Sequence, residues 1–412
     1  MRAGLAVPDA VSSNDPRYAG PAFWQYPAAQ QPNWHTHPEY EEVRRKISGR
    51  PPLVSWPEVA ALRTALAEVA AGDAHLLQAG DCAESIWECD SRQTARRIEI
   101  VRALGDQMAS AGTRVLRVGR MGGQFAKPRS RETERIGGRD LPVFRGHLVN
   151  SEEPTLEARQ HDPCRMLWAY DASKGVLDQL HRTRIRDRYA SGSEGVVDGP
   201  WASHEALVLD YEGALVDRDR ETGTTYLSST HLPWIGERTR QPQGAHVRLL
   251  ASVRNPVGCK IGPKSTPDEV AELCELLDPG REPGRLTLIA RMGKDEVERA
   301  LPPIVEAVAR AGHPVIWLTD PMHGNTVRSS SGRKTRYLAD ILEEACAAKR
   351  VLRGHGQHAA GIHCEVATTP VTECVGGPVP DEEALERNYT TLCDPRLGPE
   401  QASELVSEWL RA

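Results

Sequence analysis

The sequence contains no apolar stretch near the roughly 18 residues that a membrane-spanning helix needs, and its amino terminus has no basic segment followed by an apolar one. We therefore expect neither a transmembrane helix nor a secretory signal, and we predict a cytoplasmic protein. The nine cysteines lack the close, regular spacing of a disulfide framework, and their number is odd. This pattern indicates reduced thiols in a reducing compartment.

An excess of charge of either sign is also missing. The chain has 51 basic and 57 acidic residues, which gives a formal net charge of −6. This balance does not indicate a nucleic acid or an anionic membrane surface as a partner. Any anion-binding site must therefore be a local cluster of basic side chains.

Several motifs that would assign a function directly are absent. There is no internal repeat, no pair of zinc-ribbon cysteine motifs and no Walker loop. The segment AGDCAES, which follows the first predicted strand, lacks the glycine-rich turn of a dinucleotide-binding fold. These absences make a nucleotide-binding sheet the weaker alternative.

The sequence does contain an alternation of short apolar runs with helical patterns. Eight runs are strand candidates, at 75–78, 114–118, 206–209, 231–241, 256–261, 286–290, 314–318 and 361–366. Helical periodicity follows most of them, at 91–110, 164–190, 266–277, 297–311 and 337–349, and precedes the first at 57–71. Eight such units predict a (β/α)8 barrel, with an open doubly wound sheet as the alternative.

The predicted domain organisation has two parts. Residues 1–72 form an amino-terminal arm and a helix packed on the barrel, because the first 50 residues are rich in Pro, Trp and Tyr without periodicity. Residues 73–412 form the catalytic barrel. A polar, irregular insertion at about 131–200 is expected to lie over the barrel mouth, where long insertions are often functional.

Residues with metal-binding or anion-binding chemistry follow the predicted strands, whose carboxyl ends meet at one face of a barrel. A thiol, an imidazole and two carboxylates suit manganese, cobalt, iron or zinc rather than calcium, and are supplied by Cys82, His323, Glu365 and Asp394. Basic residues form a second set, Arg120, Lys127, Arg238, Lys260 and Arg291. Together they predict a metal-dependent enzyme that acts on phosphorylated carbonyl compounds.

Two further interpretations concern neighbours of these residues. The glycines of GRMGGQFAKPRS are expected to expose backbone N–H groups that help to hold phosphate. His363 is expected to be a packing or supporting residue that lies on the face opposite to Glu365.

Ten segments, in order along nearly the whole chain, resemble those of the type II 3-deoxy-D-arabino-heptulosonate 7-phosphate (DAHP) synthases. They are LLQAGDCAES, RVGRMGGQFAKPRS, SHEALVLDYE, WIGERTRQ, NPVGCKIGP, IARMG, DPMHGNT, GIHCEV, VTECVGG and CDPRL. The resemblance implies a (β/α)8 barrel and a condensation of phosphoenolpyruvate with erythrose 4-phosphate that releases inorganic phosphate.

The resemblance also implies roles for individual residues. The metal ligands are the four named above, with manganese expected and cobalt, iron or zinc as alternatives. The phosphoenolpyruvate site comprises Arg120, Glu237, Arg238, Lys260 and Arg291, of which Lys260, Arg291 and Glu237 are assigned to catalysis. The pocket for the aldose phosphate comprises Lys127, Arg129 and Ser130, with Lys334 nearby.

The chain departs from the family pattern in two ways. Ala79 stands where many members have glycine, and the chain is shorter than members whose extensions serve inhibition by aromatic amino acids. We therefore expect weak or absent feedback inhibition and a role in secondary metabolism. A homodimer or higher homo-oligomer is expected.

Two alternative functions stay open. One is an aminoDAHP synthase that uses an amino form of the tetrose. The other is a noncatalytic homologue that regulates a partner such as chorismate mutase.

Overall fold

The computed structural model describes residues 23–191 and 198–412. Eight parallel strands close into a barrel and follow one another around it in chain order. They are β1 Ala74–Gly80, β2 Arg114–Arg120, β3 Trp201–Glu205, β4 Leu232–Ile235, β5 Val257–Ile261, β6 Leu286–Ala290, β7 Ile316–Thr319 and β8 Ala359–Glu365. The predicted (β/α)8 barrel is therefore confirmed.

Helices precede, separate and follow the barrel strands. Among the described residues, two α-helices lie before β1, α1 Tyr40–Ser48 and α2 Trp56–Ala71. In the same part of the chain, each barrel strand is then followed by one α-helix, α3 Ser91–Ala109, α4 Arg165–Ser191, α5 Leu209–Ala214, α6 Ala245–Ser252, α7 Pro267–Leu277, α8 Val297–Ala311, α9 Leu338–Gly354 and α10 Pro399–Arg411. Within the described residues, no helix has both the length and the apolarity to cross a membrane.

Strand register brings distant residues to one level at the carboxyl ends of the strands. Gly80 pairs with Arg120 on β2 and with Glu365 on β8. Glycine is required at this position, because a Cβ on Gly80 would lie 2.7 Å from the carbonyl oxygen of Arg120 and the φ angle is +149°. The chain directly after β1 therefore begins beside both polar side chains.

Apolar side chains fill the amino-terminal half of the barrel interior, where Leu76 and Ile316 pack with Leu62 and Leu66 of α2. Helix α2 begins at a capping box formed by Ser55 and Glu58 and ends at Gly72 in the left-handed conformation. It lies across the amino-terminal end of the barrel. The polar site is therefore confined to the opposite end.

The arm before α2 is anchored to the short helix α5. Trp34 Nε1 and Tyr40 Oη donate hydrogen bonds to the buried Asp210 carboxylate at 2.8 and 2.7 Å. Burial, followed by Asp210, raises the pKa of the Tyr40 hydroxyl. The arm is thus held close to the face where the strands end.

The predicted strand at 206–209 is wrong, because the third strand is Trp201–Glu205. Its sequence, WASHE, lacks an apolar run because Ser203 takes part in hydrogen bonding with Gln78 inside the barrel. The apolar residues Leu207 and Val208 pack outside the barrel with the arm and α4. Their apolarity reflects this second core rather than a strand.

Candidate active site

Glu365, at the end of β8, is fully buried and is the centre of a cluster of charged side chains. Its Oε1 lies 3.0 Å from Arg120 Nη2 and 3.1 Å from Lys127 Nζ. The same oxygen lies 3.1 Å from His323 Nε2, and Oε2 lies 2.7 Å from Arg336 Nη1. Burial alone would raise the pKa of Glu365, but His323, Lys127 and Arg336 hold it well below its usual range. The carboxylate is therefore ionised.

Asp394, in the loop after β8, brings a second carboxylate to the cluster. Its Oδ1 accepts from Lys334 Nζ at 2.6 Å, and its Oδ2 lies 3.4 Å from Lys127 Nζ. Its backbone N–H donates to Cys82 Sγ at 3.2 Å. Burial opposes the charge on Lys127, yet Cys82, Glu365 and Asp394 raise the pKa of Lys127 well above its usual range. The pocket therefore stabilises the positive charge of Lys127.

His323, in the loop after β7, is oriented by Asp320. The Nδ1 of His323 lies 2.8 Å from Asp320 Oδ2, so Nε2 is directed toward Glu365. A carboxylate on one ring nitrogen leaves the other free for a metal, as is usual for metal-binding histidines. Asp320 Oδ2 also accepts from Lys260 Nζ at 2.7 Å.

Two contacts join the four predicted metal ligands: His323 Nε2 lies 3.1 Å from Glu365 Oε1, and the backbone N–H of Asp394 donates to Cys82 Sγ at 3.2 Å. Across the part of the chain that the structure describes, no group of three or more His, Cys, Asp or Glu side chains is preformed to hold a metal. Lys127 pairs with both carboxylates instead. By chemistry, the donor set of Cys82, His323, Glu365 and Asp394 fits a divalent cation, because it combines a thiol, an oriented imidazole and two carboxylates.

Arg120 forms the inner wall of the site. Its Nε donates to the carbonyl oxygen of Asp81 at 3.0 Å, and its Nη2 lies 3.4 Å from the carbonyl of Cys82. The guanidinium stacks over the Trp234 ring at 5.1 Å. With only 1% of its surface exposed, Arg120 is rigidly placed beside Glu365.

Arg291 and Glu237 face each other across Gly262. A Cβ on Gly262 would meet Glu237 Oε1 at 2.9 Å and Arg291 Nη1 at 3.0 Å. Arg291 Nη2 donates to the carbonyl oxygen of His323 at 2.8 Å. Lys260 and Arg291 thus both contact His323. The structure therefore brings these predicted phosphoenolpyruvate residues together.

Other predicted residues lie nearer the surface. Arg238 is exposed, whereas the neighbouring Glu237 pairs with Arg240. Arg129 contacts Cys393 Sγ at 3.6 Å, and Ser130 is exposed at the end of the same loop.

The expectation that both glycines of the Gly122–Gly123 pair offer N–H groups to phosphate is wrong. The Glu84 carboxylate accepts from Gly122 N at 3.1 Å, Gly123 N at 3.0 Å and Gln124 N at 2.9 Å. A buried carboxylate from the chain therefore occupies this backbone anion site. These three hydrogen bonds fix the beginning of the loop that carries Lys127.

Glu84→Gln is expected to lower the free energy of unfolding by roughly 1–3 kcal/mol, because one backbone N–H loses its acceptor. Denaturant unfolding measures the change. The matched control is Glu88→Gln, since Glu88 is exposed and lies 3.8 Å from Arg97, which also contacts Glu84. An equal loss in both variants would contradict the assigned role of Glu84.

The prediction that His363 lies opposite to Glu365 is wrong. Residues two apart on a strand share a face, and His363 Nδ1 lies 2.7 Å from Gln78 Oε1 inside the barrel while Nε2 contacts Arg120. Burial, with Lys260 and Arg120, holds the pKa of His363 well below its usual range. His363 is thus a neutral support for Arg120.

Arg336 is a site residue that the sequence reasoning missed. It is fully buried, and it donates to Glu365 Oε2, to Thr326 Oγ1 at 2.9 Å and to the carbonyl oxygen of Pro395. The available signal was its place two residues after Lys334 in GRKTRY. Arg336 links the loop after β7 with the loop after β8.

The carboxyl face of this closed parallel barrel carries ionised carboxylates, an oriented imidazole and buried cations. Such a face is typical of barrel enzymes that bind anionic substrates. Residues 20–196 and 197–408 match the model of the class-II DAHP synthetase family. The chain belongs to this family.

Two relatives agree with this assignment, and a solved structure shares the fold. The chain is 46% identical over 387 residues to a probable phospho-2-dehydro-3-deoxyheptonate aldolase of Pseudomonas fluorescens, covering 93% of this chain and 94% of the relative. It is 38% identical to the Streptomyces coelicolor phospho-2-dehydro-3-deoxyheptonate aldolase, with 94% and 96% covered. A solved Francisella tularensis phospho-2-dehydro-3-deoxyheptonate aldolase shares the fold, with a TM-score of 0.51, 13% identity and 90% and 95% covered.

Proposed function

We propose that this protein is a DAHP synthase, which condenses phosphoenolpyruvate with erythrose 4-phosphate to give DAHP and phosphate, the first step of the shikimate pathway. The supporting observation is the buried cluster around Glu365, in which oriented cations and metal-type donors share one pocket. Phosphate and carboxylate groups need such fixed positive charges. The reaction itself is inferred from the family to which the chain belongs.

In the proposed reaction, C3 of phosphoenolpyruvate forms a bond to the aldehyde carbon of the tetrose, and the aldehyde oxygen gains a proton. Positive charge develops at C2, where water adds and loses a proton. The resulting hemiketal phosphate then loses phosphate by C–O cleavage. A divalent metal bound by Cys82, His323, Glu365 and Asp394 would supply Lewis acidity toward the aldehyde oxygen.

The residues of the chain position the substrates and offset their charge. Arg120, Lys260 and Arg291 are proposed to hold the carboxylate and phosphate of phosphoenolpyruvate, a role supported by their rigid placement. Glu237, which faces Arg291, is proposed to orient the attacking water. Arg238 is proposed to contact the phosphate group from the surface side.

The finer features are part of the same proposal. Manganese is the proposed metal, as the family resemblance implies, and cobalt, iron and zinc are the alternatives that suit the same mixture of thiol, imidazole and carboxylates. We place the enzyme in the cytoplasm as a homo-oligomer that serves secondary metabolism.

The test is a phosphate-release assay with both substrates, run with chelator and then with added manganese. We expect release only when both substrates are present, loss of release with chelator, and recovery with manganese. A third arm replaces the tetrose with its amino analogue. Faster turnover of the analogue would favour the aminoDAHP alternative, and absence of release in every arm would contradict the enzymatic proposal.

A further inference from the structure

The amino-terminal arm reaches the loop that carries Arg129. Gln30, in this arm, accepts a hydrogen bond from the backbone N–H of Arg129 at 2.8 Å through its side-chain Oε1. Its own carbonyl oxygen accepts from Arg145 Nη2 at 2.6 Å. Gln30 has a φ angle of +62°, a left-handed conformation that residues other than glycine rarely adopt. Its contacts must therefore favour this conformation over the more common ones.

The other side of this loop is held by a different segment. Lys127 N donates to the carbonyl oxygen of Arg145 at 2.9 Å, and Leu148 N donates to that of Phe125 at 3.0 Å. Gln30 binds the loop two residues beyond Lys127. The loop is thus clamped between the arm and the segment around Arg145.

Neutral oxygens hold the guanidinium of Arg145, which donates to the carbonyl oxygens of Gln30 and Gln31. The guanidinium of Arg129 forms a long ion pair, with Nη2 3.7 Å from Glu134 Oε2, and its Nη1 lies 3.6 Å from Cys393 Sγ. Burial, followed by Arg129, lowers the pKa of Arg145, as expected for two nearby guanidinium groups. Such a pair is a suitable site for a phosphate dianion.

We propose that Gln30 is a positioning residue for the aldose-phosphate pocket, because it fixes the backbone of Arg129 and the guanidinium of Arg145 beside that pocket. Arg145 is the additional phosphate-binding residue in this arrangement. The inference rests on the proposed function and on the family resemblance, which implies Lys127, Arg129 and Ser130 as the pocket for the phosphate of erythrose 4-phosphate.

Gln30→Ala is the principal test, since it removes the acceptor of the Arg129 N–H. We expect the KM for erythrose 4-phosphate to rise about tenfold, the size of effect of one lost hydrogen bond in a binding site. The KM for phosphoenolpyruvate and kcat should stay within about twofold, because Gln30 does not contact the residues assigned to phosphoenolpyruvate. Steady-state kinetics with each substrate varied in turn measures this difference.

Three further variants separate positioning from general stability. Gln30→Glu keeps an oxygen acceptor for the Arg129 N–H but sets a negative charge about 3.5 Å from Arg145 Nη2, so the KM for erythrose 4-phosphate should stay raised. Gln30→Gly adopts the left-handed conformation readily but lacks the acceptor, so it should match Gln30→Ala. Gln31→Ala is the matched control, because the Gln31 side chain forms hydrogen bonds with the backbone of Leu207 and Leu209 and not with the loop that carries Arg129. Loss of this side chain should lower Tm and leave the KM for the tetrose unchanged.

Calorimetric titration of erythrose 4-phosphate into wild type and Gln30→Ala tests the inference without turnover. About tenfold weaker binding by the variant supports it, even if the wild type releases no phosphate and the proposed function fails. Equal affinity, a similar rise in both KM values, or the same KM change in Gln31→Ala would overturn it. A wild type that neither binds nor converts the tetrose would overturn both proposals.

Discussion

Glu365→Gln is expected to lower kcat by more than about 10³-fold, equivalent to roughly 4 kcal/mol of transition-state stabilisation. The change removes one of the proposed metal ligands and the negative charge to which three cations are paired. Arg120, Lys127 and Arg336 would then be buried with too little compensating charge. The free energy of unfolding should fall by about 3–5 kcal/mol, as when one partner of a buried ion pair is removed.

Two measurements separate the catalytic loss from the structural one. Denaturant unfolding reports the change in stability, and phosphate release reports turnover. Glu365→Asp keeps the charge but withdraws it by one methylene, so most of the stability should return while turnover stays at least about tenfold low. Glu383→Gln, which changes an exposed glutamate in the loop after β8, should alter neither. Near-wild-type turnover in Glu365→Gln would refute the central role of this carboxylate.

The barrel could be predicted because its signal is repeated along the chain. Strands such as Leu286–Ala290 are buried on both faces, so their sequences are continuously apolar. The polar residue that follows each strand then falls at the same face of the barrel. Cys82, His323 and Glu365 could be predicted as neighbours on this basis alone, before any distance was known.

The partners of these residues could not be predicted in the same way. Arg336 lies on a loop and Glu365 lies on a strand, and the two residues meet only in the closed tertiary structure. No local periodicity of the sequence encodes this contact. The pairing of Gln30 with Arg129 spans 99 positions. Local apolarity was also misleading at Leu207, because a residue packed between the arm and α4 is as apolar as one in a strand.

Lys260→Met is expected to lower kcat/KM for phosphoenolpyruvate by about 10²–10³-fold, the usual effect of removing one preorganised charge from an active site. Lys260 lies at the end of β5 with its ammonium group 2.7 Å from Asp320 and 3.4 Å from His323. Burial lowers the pKa of Lys260, while Asp320 opposes this shift. The Lys260 amino group is buried, and its ion pair with Asp320 favours the charged form that an anionic substrate requires.

The variant should remain folded, because Asp320 keeps its other partners. Its carboxylate still contacts His323 Nδ1 at 2.8 Å and accepts from Met322 N at 3.1 Å. Lys264→Met, in the exposed part of the loop after β5, is the matched control and should retain wild-type kinetics. Varying phosphoenolpyruvate at saturating tetrose measures the effect. Equal kinetics in the two variants would remove Lys260 from the substrate site, whereas the expected difference would support a role for its ammonium group in binding phosphoenolpyruvate.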